Sequence, residues 1–162
     1  MTKGLTFLFF SRVTGGTKKG SPVLAELFST DEIDASKITV VQSQATKLKQ
    51  TFLQVTDISQ LGTAEEVVKL LLPPNTNILS VKKVEYPQAA RDTGTPIGIL
   101  DRPPISIYRY QVVLPNGQHA AVAIGAVLGR VILLGAAAPE DRWEKMGSTL
   151  TMVADSFKIL PR

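Results

Sequence analysis

The chain has 162 residues, 44% of them hydrophobic, about the size of one ordinary domain with enough apolar mass for a single core spanning 1–162. Its 18 Lys and Arg against 14 Asp and Glu leave a net charge of +4, too mild and too scattered for a dedicated nucleic-acid binder. Cysteine is absent, which excludes disulfides, thiolate metal sites and cysteine nucleophiles.

Met1-Thr2-Lys3-Gly4 runs into apolar sequence without a signal-peptide core or an Arg/Ser-rich transit pattern, so any targeting segment is expected to lie outside this chain. Leu5 to Phe10 reads as a first strand, and Thr14 to Gly20 as a flexible loop. Pro22 to Phe28 and Ile38 to Gln42 read as short strands that make the first third mostly sheet.

Thr63-Ala64-Glu65-Glu66 has the capping-box pattern, in which the Thr63 hydroxyl accepts from the amide of Glu66 while that carboxylate reaches back to the amide of Thr63. A helix starts there, with Val67, Leu70 and Leu71 as its buried stripe, and Pro73-Pro74 ends it. Strand character resumes over Ile78 to Val84. Gln88 to Pro104 holds Gly94, Pro96, Gly98, Pro103 and Pro104 with no clean period, and reads as an extended loop suited to a binding surface or to surface filler.

Ile105 to Leu114 alternates, with Ile105, Ile107 and Arg109 on one face and Tyr108 and Tyr110 on the other. Pro115-Asn116-Gly117 signals a hairpin with a two-residue turn, because Asn-Gly tolerates positive φ. Ala120 to Ala138 is apolar for nearly a membrane-spanning length, but Arg130 sits mid-way, and a mid-bilayer arginine costs roughly 3 kcal/mol on insertion scales. Two buried strands joined at Leu128-Gly129-Arg130 and covered by helices fit better. Pro139 suits the first turn of a helix, and Glu140 and Asp141 favour its dipole. Trp143, Met146, Leu150, Val153 and Phe157 follow at helical spacing as one buried face.

The chemistry-bearing patterns are few. One histidine, His119, and no cysteine rule out Cys-His pairs and multi-histidine metal sites. No serine lies in a Gly-x-Ser-x-Gly elbow, and neither phosphate-binding glycine loop nor EF-hand spacing occurs. Glu65-Glu66 and Glu140-Asp141 sit at helix starts, where capping accounts for them.

Three stretches carry a resemblance to the PsbP family. Asp57-Ile58-Ser59-Gln60-Leu61-Gly62-Thr63-Ala64-Glu65-Glu66 is similar to its helix start "I-x-D-x-G-S/T-P-E-E", with Ala64 in place of proline. Gly117-Gln118-His119, an apolar strand, Leu128-Gly129-Arg130 and a second strand resemble its "G-x-H … x-G-K-L/V" hairpin. Ala136 to Phe157, with Arg142, Trp143, Ser156 and Phe157, resembles its C-terminal pattern. Two departures set the chain apart from the oxygen-evolving subunit and favour a PsbP-like or PsbP-domain paralogue. Phe10-Ser11-Arg12-Val13 replaces a Tyr-Pro followed by Trp, and the long N-terminal extension is missing.

The resemblance implies an α+β fold, an α-β-α sandwich with a central antiparallel sheet flanked by helices. It also implies a non-enzymatic protein, monomeric when free and without nucleic-acid partners, in the chloroplast thylakoid lumen at the membrane periphery. The implied role is accessory or assembly work on membrane-embedded photosynthetic complexes: the oxygen-evolving complex of photosystem II, photosystem I, or the chloroplast NAD(P)H dehydrogenase-like complex. Lys18, Lys19, Lys47, Lys49, Lys82, Lys83, Arg91 and Arg102 are candidate partner contacts. The family's oxygen-evolving members can bind a divalent metal at positions that match His119 and Glu140, which implies a weak, partly hydrated calcium, manganese or zinc site. A small-ligand or divalent-metal carrier is the alternative function.

Overall fold

A computed structural model describes residues 9–12, 23–30, 35–48 and 54–160, with backbone only for 9–12, 23–30 and Lys47. Its strands are β1 (Phe9–Arg12), β2 (Val23–Thr30), β3 (Lys37–Gln44), β4 (Asn77–Tyr86), β5 (Arg91–Asp92), β6 (Ile99–Leu100), β7 (Ile105–Val113), β8 (Gln118–Val127) and β9 (Arg130–Pro139). Seven of them form one antiparallel sheet in the order β1-β2-β3-β9-β8-β7-β4, and β5 with β6 makes a separate small hairpin. The helices are α1 (Ala45–Leu48), α2 (Ala64–Leu71) and α3 (Glu140–Asp155), with a 3-10 turn at Ile58–Leu61.

β8 and β9 lie at the centre because their residues suit burial on both faces, and they hold the apolar run that sequence reading divides at Leu128-Gly129. No helix among the described residues is long and apolar enough to cross a membrane. Even-numbered β8 residues Ala120, Val122, Ile124 and Ala126 join Tyr108, Tyr110, Val112 and Val131 on one face. The 3-10 turn and α2 cover that face with Ile58, Leu61, Val67 and Val68. On the other face α3 brings Met146 and Leu150 onto Ala136 and Ala138. The layers are therefore helix, antiparallel sheet, helix, which is the expected α-β-α sandwich.

Local chemistry sets the joints. Thr63 caps α2 in a reciprocal box: its hydroxyl accepts from the Glu66 amide at 3.3 Å, and Glu66 Oε2 accepts from the Thr63 amide at 2.8 Å. Ala64 stands at the first helical position, where proline fits equally well because that amide has no intrahelical partner. The sheet grips this segment through two tyrosines: Tyr108 donates to the Gly62 carbonyl at 2.9 Å and Tyr110 to the Ala64 carbonyl at 2.8 Å. Burial raises the pKa of both hydroxyls, keeping them protonated donors.

Several expectations need correction. The buried residues of α2 are Val67 and Val68, while Leu70 is 44% exposed, because only one side of so short a helix meets the sheet. At Pro115-Asn116-Gly117 the turn is not the two-residue form: only Gly117 takes positive φ, at 81°, and the amide of Leu114 donates to the Gln118 carbonyl. Proline at the second turn position favours this looser loop over one with two positive φ values. The two-residue form instead joins β8 to β9, where Leu128 and Gly129 have φ of 49° and 72°. Pro139 ends β9 and caps α3 rather than entering its first turn, so strand passes directly into helix. Gln88 to Pro104 is a loop only in part, since β5 and β6 pair within it. The Leu5 to Phe10 strand lies largely, and the Thr14 to Gly20 loop wholly, outside the described residues.

Asp57 couples the 3-10 turn to the sheet. One carboxylate oxygen accepts from the Ser59 amide and hydroxyl, and the other accepts from the Ser106 amide of β7 at 2.7 Å. Burial alone would raise its pKa, but the hydrogen bonds from Ser59 and Ser106 outweigh that and hold it below the ordinary 3.8. A depressed folded pKa contributes stability that is full above the unfolded value and lost as pH falls through the folded one. Asp57→Ala is therefore expected to cost about 2 kcal/mol at neutral pH and clearly less near about pH 2. Urea unfolding of both proteins at the two pH values measures this; an equal cost at both would contradict it.

Candidate functional site

The ends of the central hairpin differ in chemistry. At the end where β8 begins, His119 pairs with Ala138 and points to the α3 face of the sheet. Because β9 runs straight into α3, the first helical turn falls beside it. Trp143 stacks on the imidazole with ring centroids 4.1 Å apart and planes within 5°. Gly147, one turn on, makes room for the indole: a Cβ there would lie 2.8 Å from Trp143 Cε2. Trp143 thus lies flat between the histidine and its own helix.

Glu140 Oε2 is 3.4 Å from His119 Nδ1, within ion-pair reach but too long for a well-formed hydrogen bond. Both ring nitrogens of His119 are buried without a hydrogen-bond partner. Such orphaned polar atoms are uncommon and call for an explanation. Two ligands on one tetrahedral ion, each about 2.1 Å from it, stand roughly 3.4 Å apart, so the pair fits a shared divalent cation. The described residues contain no group of three His, Asp or Glu that could complete a closed site.

The opposite end, where β8 turns into β9, is apolar, with a small excess of cations over Asp92 and Asp101. Strand pairing brings Tyr86 against Ile105 and Gln44 against Arg130, so the Gln88 to Pro104 excursion, the β8–β9 turn and α1 all emerge there. Nine large apolar side chains are exposed among the described residues, and five of them (Ile97, Ile99, Leu100, Leu128 and Leu160) belong to this end. Four are between 71% and 82% exposed, well beyond a grazing contact with solvent.

The excursion is tied down. Gln88 Nε2 donates to the Pro103 carbonyl at 2.7 Å and Arg102 Nε to the Ala89 carbonyl at 3.0 Å, closing its base. Thr93 donates to the Gly98 carbonyl through both amide and hydroxyl, closing its tip. Ile97, Ile99 and Leu100 are thereby presented on an ordered arm, which lowers the entropy lost on binding. Beside its base a cleft of about 280 Å³ is lined by Tyr86, Pro87, Ala89, Arg102, Lys158 and Leu160.

The sequence profile of the PsbP family matches residues 25–159. This chain belongs to the PsbP family. The solution structure of cyanobacterial PsbP (CyanoP) from Synechocystis sp. PCC 6803 has the same fold: TM-score 0.53 at 18% identity, covering 94% of this chain and 82% of that one. No curated protein matches the sequence. Membership supports an accessory role at a photosynthetic membrane in general terms.

Within this PsbP fold the residues named from sequence fall in separate places. His119 and Glu140 are brought together, with Nδ1 and Oε2 3.4 Å apart. Lys82 and Lys83 are neighbours on edge strand β4 with side chains to opposite faces, and Lys83 pairs with Glu85 at 2.7 Å. Arg91 lies in β5 and Arg102 at the base of the same arm, both at the apolar end. Lys47 is on α1, separated from β4 by β9, β8 and β7. Lys18, Lys19 and Lys49 lie outside the described residues. The apolar cluster itself escapes sequence reading, although Ile97-Gly98-Ile99-Leu100 gives one signal: aliphatic residues inside a stretch coded for turns.

Gly147→Ala is expected to push Trp143 off its stack and to destabilise the fold by about 1–3 kcal/mol through overpacking. Near-ultraviolet circular dichroism of the single tryptophan and thermal unfolding measure the two effects, and a spectrum and melting point like wild type would contradict the packing described.

Proposed function

We propose that this PsbP-family protein is a non-enzymatic accessory or assembly protein, monomeric when free, that docks on a membrane-embedded photosynthetic complex. The family resemblance directs this to the chloroplast thylakoid lumen and to photosystem II and its oxygen-evolving complex, photosystem I, or the NAD(P)H dehydrogenase-like complex. The observation that carries the reading is the gathering of Ile97, Ile99, Leu100, Leu128 and Leu160 at one end of the sheet. Arg91, Arg102, Arg130 and Lys158 outnumber Asp92 and Asp101 there, a modest cationic excess that suits a partner with an acidic rim.

The test is a pull-down with tagged protein from detergent-solubilised thylakoids at low and high salt. Wild type is expected to recover subunits of one of these complexes, more weakly at high salt. Ile97→Asp with Ile99→Asp, which places two carboxylates at positions more than 70% exposed, should reduce recovery about tenfold with the fold unchanged. Equal recovery by the double variant would remove this end of the molecule from the interface.

A second reading, a carrier or cation-binding module, draws support from the orphaned nitrogens of His119 and the 3.4 Å approach of Glu140. Calcium, manganese and zinc are the candidate cations, with zinc favoured by the imidazole. A bound cation would neutralise Glu140 and give the buried imidazole a partner. Because the chain has one tryptophan and one histidine, Trp143 emission reports this site alone. Zinc titration is expected to give a saturable change at weak affinity, abolished in His119→Ala and weakened in Glu140→Gln. A flat response up to about millimolar zinc would exclude the site.

A further inference from the structure

The β8–β9 turn holds a leucine in a conformation that leucine disfavours. Val127 and Arg130 form the last pair of the hairpin, and Leu128 and Gly129 between them both take positive φ. This is the primed two-residue turn, whose first position favours Gly, which lacks the Cβ that crowds the following carbonyl, and Asn or Asp, whose polar side chain hydrogen-bonds the local backbone. Leu128 has φ of 49° and is 72% exposed, so burial returns little for the strain.

The backbone leaves the turn no easy relaxation. The Gly129 amide donates to the Val55 carbonyl at 2.7 Å, and the Gly129 carbonyl accepts from the Ala45 amide at 2.9 Å. Leu128 is therefore held out on a fixed support. Exposed Arg130 flanks it, and Lys47 follows in α1. Asp57, the carboxylate in the 54–57 segment, is engaged by Ser59 and Ser106. The tip is an apolar knob beside the Arg130 cation.

We infer that Leu128 is a docking anchor that enters an apolar pocket with an acidic rim on a protein partner. The inference rests on the docking reading above and deepens it by naming a contact and the chemistry that receives it. A protein pocket suits the tip better than a bilayer, because one leucine on a fixed turn covers too little area to hold a protein on lipid but fills one preformed cavity. Strain at an exposed position also makes the anchor separable from the fold: relieving it stabilises the protein while removing the contact.

The experiment compares wild type with Leu128→Asn, a side chain of similar size whose polar end can hydrogen-bond the local backbone in this conformation. Thermal unfolding is paired with binding to native thylakoid membranes and to protein-free vesicles made from lipids extracted from those membranes. Leu128→Asn is expected to melt about 2–4 °C higher and to bind membranes about tenfold more weakly, with neither protein binding the vesicles. Arg130→Glu should weaken membrane binding chiefly at low salt. Equal binding by wild type and Leu128→Asn overturns the anchor while leaving the docking reading standing, and an unchanged or lower melting point overturns the strain argument. Wild type binding vesicles as well as membranes assigns the tip to lipid and overturns the protein pocket. Failure of wild type to bind either sinks the docking reading and the anchor with it.

Discussion

The close approach of α3 to the central hairpin is the constraint from which the rest follows. On that face the hairpin presents Ala121, Ala123 and Gly125 from β8 with Ala136 and Ala138 from β9, and Leu134 and Ile132 further along β9, so the first turns of the helix settle onto small side chains. Larger residues there would hold it off and open voids at Met146 and Leu150. Gly125 takes this furthest, since a Cβ would lie 2.5 Å from Ile159 Cδ1 and 2.7 Å from Ile107 Cδ1. The segment after α3 therefore folds down against β7 instead of leaving the domain.

The ends of the hairpin inherit their character from this packing. A helix that begins directly after Pro139 and sits low must place its one tryptophan across Gly147 and against His119, which buries the imidazole beside Glu140. At its other end α3 is held by Arg109, which donates to the Asp155 carbonyl at 2.6 Å and to the Tyr86 hydroxyl. A cation among the last carbonyls also suits the helix dipole. That fastening directs Lys158 and Leu160 to the same end as the Gln88 to Pro104 arm and the Leu128 turn. One end is thus inward-looking, with an aromatic stack over a buried histidine, and the other exposes aliphatic side chains to solvent.

Much of the architecture is legible in the residues because its signals are local. The Thr63 to Glu66 box, the Pro73-Pro74 stop, the Leu128-Gly129-Arg130 break and the Trp143 to Val153 spacing each act within one or two turns of chain. What escapes reading depends on distant partners. Asp57 reads as part of a helix start, yet one of its oxygens serves Ser106 of β7. Leu70 carries the same apolar signal as Val67, and only the placement of α2 on the sheet decides which is buried. The His119–Glu140 pairing comes from family resemblance, since nothing in either residue's neighbourhood announces the other. The apolar end is hardest to see, because the arm, the turn and the C-terminal segment converge only through strand register.

Membership in the PsbP family gives the fold and a general accessory role, and the docking surface proposed above would give that role a direction. The central claim is that the turn end faces the partner and the histidine end faces away. Hydroxyl-radical footprinting of the protein free and bound to thylakoid membranes tests this directly. The account predicts protection at Ile97, Ile99, Leu100, Leu128 and Leu160, with Met152 and the exposed Pro115 turn labelled as in the free protein. Protection centred on the Pro115 turn, Glu140 and Trp143, with the aliphatic end still reactive, would contradict it.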